Sequence, residues 1–226
     1  LSPINLMEAL ADATQGRDGK RIPVVKATNI LVEGGDEGAV LGLPPMVLTP
    51  MFVLTLLLVK PMGFFDAICH ALATISTGGF STKADGLNYW HSYYIDSVVM
   101  LFMFLGGVNF TLLFGVTRGR FKPLRHNDTF KWYFMIVVVA SVVIILRMTY
   151  ENFCDDWSDR IVYAIFDTIS AITSTGFSTI DYEASGEFIS LILMLCMLVG
   201  GMAGSTAGGA KVDRLIVMLK NTKNSF

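Results

Sequence analysis

The stretch Ile75-Ser76-Thr77-Gly78-Gly79-Phe80-Ser81-Thr82 decides the fold, because it returns as Ile172-Thr173-Ser174-Thr175-Gly176-Phe177-Ser178-Thr179. A short apolar segment leads into each copy, and a longer apolar segment with a Gly-Gly pair follows each one. The short lead-in segments fall below the roughly 20 residues that a helix needs to cross a bilayer. The chain therefore repeats one unit: an apolar span, a short helix, a Gly-Phe-Ser-Thr turn and a second span.

The composition places this repeat in a membrane protein. Hydrophobic residues make up 53% of the chain and charged residues only 16%, against about 25% charged in soluble domains. A net charge of −2 argues against a nucleic-acid partner, which requires a basic face. No Ser/His/Asp grouping, metal-ligand spacing or nucleotide loop occurs, so an enzyme is not expected.

The apolar blocks predict the domain organisation. Residues 1–38 are polar to mixed and predict a cytoplasmic lead-in or linker. The first pore repeat covers 39–116, with a span, a pore helix over 64–76, a filter over 77–82 and a span broken at Gly106-Gly107. A basic cytoplasmic loop, 117–131, comes next.

The second pore repeat covers 132–220. It contains a span, a pore helix over 161–173, a filter over 174–179 and a span broken by a loop over 200–210. Residues 221–226 form a tail. The fold class predicted is thus an all-α membrane protein made of repeated span, re-entrant pore helix, filter loop and span units.

The basic residues support re-entrance. Short cytoplasmic loops collect Lys and Arg, and three basic clusters lie at 17–26, 118–131 and 211–223. All three fall on one side only if both short apolar segments dip into the bilayer and return. A full crossing by either would separate the clusters, so this parity predicts two re-entrant hairpins.

The residue types in the two hairpins predict a cation filter. Non-helical backbone at membrane depth must be buried in protein or line water, and its carbonyl oxygens can replace the hydration shell of an alkali cation. Neither run contains an acid, which suits a monovalent ion better than a divalent one. The alternative is a pair of surface turns between helices. The predicted cation-binding filter residues are Thr77, Gly78, Gly79, Phe80, Ser174, Thr175, Gly176 and Phe177.

A second glycine-rich segment predicts a gate. It resembles a P-loop, but Ala210 stands where the phosphate-binding lysine is required and Val212 follows Lys211. The alternatives are a mobile break in a membrane helix, which could obstruct the pore, and close helix packing through small residues. The predicted gating residues are Gly200, Gly201, Gly204, Ser205, Thr206, Gly208, Gly209 and Lys211.

Three single residues carry narrower expectations. Lys211 faces cytoplasmic water, lipid phosphates or a partner, or is a plain positive-inside charge. Asn109 lies in an apolar span and is expected to face protein or pore rather than lipid. His70 is expected to be a hydrogen-bonded structural histidine rather than a proton carrier.

These motifs resemble the Trk/Ktr/HKT superfamily of potassium uptake transporters. The segment 65–71 leading into Gly78-Gly79-Phe80-Ser81-Thr82 is similar to the second pore repeat of the Trk-type subunit, and 175–179 is similar to the third. The segment 200–212 is similar to the signature that follows the third repeat. The resemblance implies a potassium-channel-like fold with four repeats around one pore. This chain holds two of them, so the predicted fold is incomplete and we expect a fragment that lacks the other repeats.

The resemblance also implies a function and partners. It implies potassium transport by a pore-forming subunit, with Gly79 and Gly176 as filter glycines and 200–210 as the gating loop. It further implies a homodimer in the lipid bilayer of the inner (plasma) membrane, multi-pass, on a cytosolic nucleotide-binding regulatory subunit. Potassium is the transported ion, and no cofactor is expected. The alternatives are a sodium-permeable relative and a non-conducting membrane fragment or scaffold.

Overall fold

The computed structural model describes residues 62–117, 119–151, 156–179 and 186–224. The expected lead-in over 1–38 and the first span, which begins at residue 39, lie outside the described residues. The second half of the first repeat and most of the second repeat are therefore the parts whose structure bears on function.

The described residues form α-helices joined by turns, with one 3-10 helix at Gly86–Trp90 and no strand among them. The expected all-α fold class is confirmed. In chain order the helices are α1 (Phe64–Ile75), α2 (Tyr93–Gly106), α3 (Phe110–Thr117), α4 (Lys122–His126), α5 (Asp128–Glu151), α6 (Trp157–Ile172), α7 (Glu187–Val199) and α8 (Val212–Asn224).

Helix α6 lies at the centre of the described structure. It packs against α2, α5 and α7, while α1 packs against α2 and α8 against α5. The last part of α6 is buried, with Phe166 and Ile172 fully enclosed. Tyr133 of α5 is also fully enclosed. Because α2, α5 and α7 enclose α6, the C-terminal end of α6 lies in the interior, where the second Gly-Phe-Ser-Thr run begins.

The outer face of the long helix is apolar. Helix α5 exposes Phe134, Val139 and Leu146, and among the described residues it alone is long and apolar enough to cross a bilayer. Helices α2 and α3 pass the same test only as a pair, and they meet at a bend of 114°. Large apolar side chains on the outside of a helix suit contact with hydrocarbon rather than water.

Three predicted boundaries are wrong, each because charged residues hide a helix from a hydropathy pattern. Helix α6 begins at Trp157 rather than at 161, with Asp159 favourably placed in its first turn. Helices α4 and α5 both begin inside the expected loop 117–131, and the Asn127 side chain caps α5 by accepting the Phe130 N–H at 2.9 Å. Helix α8 continues to Asn224, into the expected tail.

Candidate functional site

The two Gly-Phe-Ser-Thr runs have the same backbone conformation. Thr77 and Ser174 occupy equivalent positions with φ of 50° and 55°, and Gly79 and Gly176 follow with 66° and 89°. The residue between each pair, Gly78 or Thr175, is not in the positive-φ region. Left-handed residues at every second position turn successive peptide groups to the same side of the chain. The carbonyl oxygens of one run can therefore lie along one side of it, whereas a strand would alternate them.

Each run is joined to its own helix by the same main-chain hydrogen bond. The N–H of Gly78 donates to the Ala73 carbonyl at 2.7 Å, and the N–H of Thr175 donates to the Ser170 carbonyl at 2.9 Å. Helices α1 and α6 end at Ile75 and Ile172, so each run leaves a helix C-terminus. The shared turn places both sets of predicted filter residues directly beyond a helix end.

The structure brings the two runs into contact with each other. Gly79 lies so close to Thr175 that a Cβ on Gly79 would overlap the Thr175 carbonyl oxygen. The ring of Phe177 stacks on the imidazole of His70 at 5.9 Å between centroids, and the Asn88 side chain donates to the Thr179 carbonyl at 2.8 Å. The first run, its helix α1 and the segment around Asn88 thus pack against one side of the second run.

Ser170 and Asp167 brace the second run from α6. The Ser170 hydroxyl accepts the Gly176 N–H at 3.1 Å and donates to the Phe177 carbonyl at 2.5 Å. The Asp167 carboxylate accepts both the N–H and the hydroxyl of Thr179, each at 3.1 Å. All four bonds join a buried side chain to the run. The second run is therefore fixed along its length.

The first run is braced differently. His70 occupies the position of α1 that Asp167 occupies in α6, five residues before the last helical residue. Because the Asp66 carbonyl can only accept, the His70 Nδ1–H donates to it at 2.8 Å. In the neutral ring, Nε2 then accepts from the Ser81 hydroxyl at 2.9 Å. His70 is therefore hydrogen-bonded at both ring nitrogens, and it ties the outer end of the run to its helix.

A polar cluster closes the outer end of the first run. Asp66 accepts the Thr82 hydroxyl at 2.7 Å and lies 3.4 Å from the Lys83 ammonium. The Thr82 hydrogen bond, and then Lys83, hold the pKa of Asp66 below its usual value. Position 73, the counterpart of Ser170, is an alanine, so the inner part of this run has no side-chain brace from that position.

The glycine-rich segment 200–210 folds into a closed loop between α7 and α8. The Ala210 N–H donates to the Leu198 carbonyl at 2.9 Å, and the Val212 N–H donates to the Gly201 carbonyl at 3.0 Å. Gly200 has φ of 74°, and a Cβ there would overlap the Gly208 carbonyl. A Cβ on Gly209 would lie 2.6 Å from the Gly200 Cα, so these two glycines form a narrow neck where the loop begins and ends. Larger residues at the neck would force the loop apart.

The closed loop touches the base of both runs. The Thr77 hydroxyl donates to the Thr206 carbonyl at 3.0 Å, and a Cβ on Gly208 would lie 3.1 Å from the Ser174 hydroxyl. Within the loop, the Ser205 hydroxyl donates to the Met202 carbonyl at 2.5 Å. The predicted filter and gating residues thus form one contiguous site.

The bend between α2 and α3 forms main-chain hydrogen bonds with the loop. The Gly107 carbonyl accepts the Met202 N–H at 2.9 Å, and the Gly106 carbonyl accepts the Thr206 N–H at 3.2 Å. Asn109 caps α3 by accepting the Thr111 N–H at 2.8 Å, and its amide donates to the Ala203 carbonyl at 2.6 Å. As expected, Asn109 faces protein.

The Lys211 side chain forms a hydrogen bond within the loop. It is half-buried, has φ of 72°, and its ammonium donates to the Ala207 carbonyl. Two residues further on, Asp213 accepts the Ala203 N–H at 2.6 Å. The first turn of α8 therefore belongs to the same hydrogen-bonded assembly as the loop.

Sequence reasoning missed Asp167, Ser170 and Asp213. Asp167 left a usable signal, because an acid within an apolar helix of a membrane protein marks a functional position. Ser170 and Asp213 left no such signal. A serine is common in membrane helices, and an aspartate is common in the first turn of a polar helix such as α8. Their roles follow from partners that only the folded chain brings to them.

Comparison with known proteins gives consistent matches. The family model described as TrkH, cation transport protein, matches residues 46–226. The chain is 30% identical to the Trk system potassium uptake protein TrkG of Escherichia coli K12, over 73% of this chain and 34% of that protein. It is 32% identical to TrkH of the same strain, over 70% of this chain and 33% of that protein.

A solved structure matches as well. The crystal structure of the potassium transporter TrkH from Vibrio parahaemolyticus aligns with a TM-score of 0.73 and 29% identity, covering 77% of this chain and 38% of that one. The chain spans about one third of the length of the curated relatives it matches.

Proposed function

The chain belongs to the TrkH family of cation transport proteins, and from this premise we propose that it forms part of the pore of a potassium uptake system. The relatives carry the name Trk system potassium uptake protein. The observation that carries the proposal is the pair of matched runs, with left-handed residues at the same two positions and with Gly79 seated against Thr175.

The chemistry of the runs suits a dehydrated monovalent cation. Main-chain carbonyl oxygens of Thr77, Gly78, Gly79 and Phe80, and of the matching residues 174–177, would replace part of the hydration shell of the ion. The C-terminal ends of α1 and α6 precede these runs and carry the partly negative end of each helix dipole. Neutral oxygens with this weak negative field bind a cation without holding it as firmly as carboxylates would.

The closed loop at 200–210 is proposed as the gate. The Thr206 carbonyl of this loop accepts a hydrogen bond from the Thr77 hydroxyl, and Gly208 packs against Ser174. An ion leaving the two runs toward the loop would meet main chain rather than water. The glycines at the neck allow the loop to fold compactly into this position. Displacement of the loop would open the path of the ion.

The proposal extends to the setting of the chain. It is a membrane protein, and we place it in the inner (plasma) membrane as a multi-pass segment of a longer chain that supplies further pore repeats. By its resemblance to the Trk/Ktr/HKT superfamily, that parent would be a homodimer with a cytosolic nucleotide-binding regulatory subunit.

The test is potassium uptake by the full-length parent in cells that lack other potassium uptake. Replacing Gly79 with alanine, Gly79→Ala, should lower uptake about a hundredfold or more, because left-handed backbone costs about 1 kcal/mol and the new Cβ overlaps the Thr175 carbonyl.

The matched control for this test is Gly119→Ala. Gly119 also has positive φ, at 74°, but nothing lies within 4 Å of its Cβ position and it is far from the runs in sequence. Uptake should survive there. Normal uptake in Gly79→Ala would contradict the proposal, and equal sodium and potassium flux in the wild-type parent would favour a sodium-permeable relative.

A further inference from the structure

Two side chains from different helices grip one residue of the loop. The Asn109 amide donates to the Ala203 carbonyl, and the Asp213 carboxylate accepts the Ala203 N–H, both at 2.6 Å. Asn109 comes from the bend before α3, and Asp213 from the first turn of α8. Both polar groups of this residue's main chain are therefore occupied by side chains, which hold the loop at a single point.

We propose that Asn109 and Asp213 form a clasp on Ala203, and that this clasp sets the closed position of the loop. The inference rests on the proposed function, since it names the residues that hold the proposed gate shut. Asn109 and Asp213 act as positioning residues: neither contacts the runs, and both act through the loop.

The geometry favours a clasp over a simple structural role. Asn109 Oδ1 accepts the N–H groups of Thr111 and Leu112 in the first turn of α3, which leaves its amide N–H group to hold the loop. Gly204 lies beside this amide, and its carbonyl accepts the Phe110 N–H at 2.9 Å. Three consecutive bonds thus join residues 203–204 to the helices on either side. The loop therefore moves only if these bonds break, while its neck remains closed by its own main chain.

The chain offers substitutions that separate the two roles of Asn109. Asn109→Asp keeps an oxygen to cap α3 but removes the N–H group that reaches Ala203. Asp213→Ala removes the acceptor, whereas Asp213→Asn retains an oxygen that can accept the same N–H. Asn109→Asp and Asp213→Ala should therefore release the loop, and Asp213→Asn should restrain it as the wild type does.

The first measurement is independent of transport. In the full-length parent, with Cys69, Cys154 and Cys196 replaced by alanine, Ala207→Cys places a thiol at a buried loop position. Its rate of modification by a water-soluble thiol reagent then reports displacement of the loop. Loss of one hydrogen bond should raise this rate about fivefold in Asn109→Asp and Asp213→Ala. An unchanged rate in Asn109→Asp would overturn the clasp, whether or not the protein conducts.

The second measurement is rubidium flux into liposomes that contain the purified parent without its regulatory subunit. We expect about fivefold more basal flux in Asn109→Asp and Asp213→Ala than in the wild type, and wild-type flux in Asp213→Asn. Lower flux in Asn109→Asp, or an Asp213→Asn variant as leaky as Asp213→Ala, would overturn the clasp. Failure of the proposed function looks different, because the wild-type parent itself would then carry no flux.

Discussion

The two Gly-Phe-Ser-Thr runs share a backbone conformation but have opposite surroundings. Phe80 is 80% exposed, whereas its counterpart Phe177 is 3% exposed and stacked on His70. Conversely, Gly79 is packed against Thr175, whereas the Cβ position of Gly176 meets nothing within 4 Å. Each hairpin therefore shows the side that the other hides.

The further pore repeats that we propose would need surfaces that match these two exposed positions. A unit on the Phe80 side would need a surface like that of His70 and Trp90 for the ring to stack on. A unit on the Gly176 side would need a main-chain carbonyl like that of Thr175. Because the chain spans about one third of its relatives' length, we propose that other segments of the parent provide these surfaces.

Among the side chains that brace the two runs, the largest effect is expected at Asp167, which anchors the second run. Asp167→Leu leaves the buried N–H and hydroxyl of Thr179 without their acceptor, which destabilises the bound position of the second run by about 3 kcal/mol. Potassium uptake by the parent should fall about a hundredfold. Asp167→Asn retains an acceptor oxygen and should keep most of the uptake. Equal loss in both variants would mean that the charge, rather than the hydrogen bonds, holds the run.

A smaller effect is expected where the two hairpins differ in their braces. Ser170→Ala makes α6 resemble α1 at this position and removes the acceptor of the Gly176 N–H. We expect the second run to lose about 1.4 kcal/mol of hydrogen-bond stabilisation. The ratio of potassium to sodium flux should therefore fall about tenfold. The reciprocal change, Ala73→Ser, should leave this ratio unaltered. A fall caused by Ala73→Ser instead would show that the first run sets selectivity.

The smallest effect is expected at the two phenylalanines. Phe177→Leu removes a buried ring stacked on His70 and should lower the unfolding free energy of the parent by about 1 kcal/mol. In the parent, the matched variant Phe80→Leu should lower the unfolding free energy by a similar amount, because we propose that another segment covers the ring that is exposed in this chain. Thermal unfolding in detergent measures both variants. An unchanged unfolding temperature in Phe80→Leu would contradict a covering segment on that side.

The sequence by itself determined the repeated unit, the two short helices and the glycines at which the chain turns. Local rules suffice for these, because apolar length marks a segment and a left-handed position favours glycine. Thus the helices over 64–76 and 161–173 were located, although charged residues hid the true start of α6 at Trp157.

Only the tertiary structure decided which copy is buried, which side chains brace it and where the loop rests. These outcomes depend on residues distant in sequence, as when Thr77 meets Thr206, Gly79 meets Thr175, or Asn109 reaches Ala203. A motif states what one run is able to do. Its neighbours decide how firmly it is held, because packing and hydrogen-bond satisfaction are properties of the folded chain.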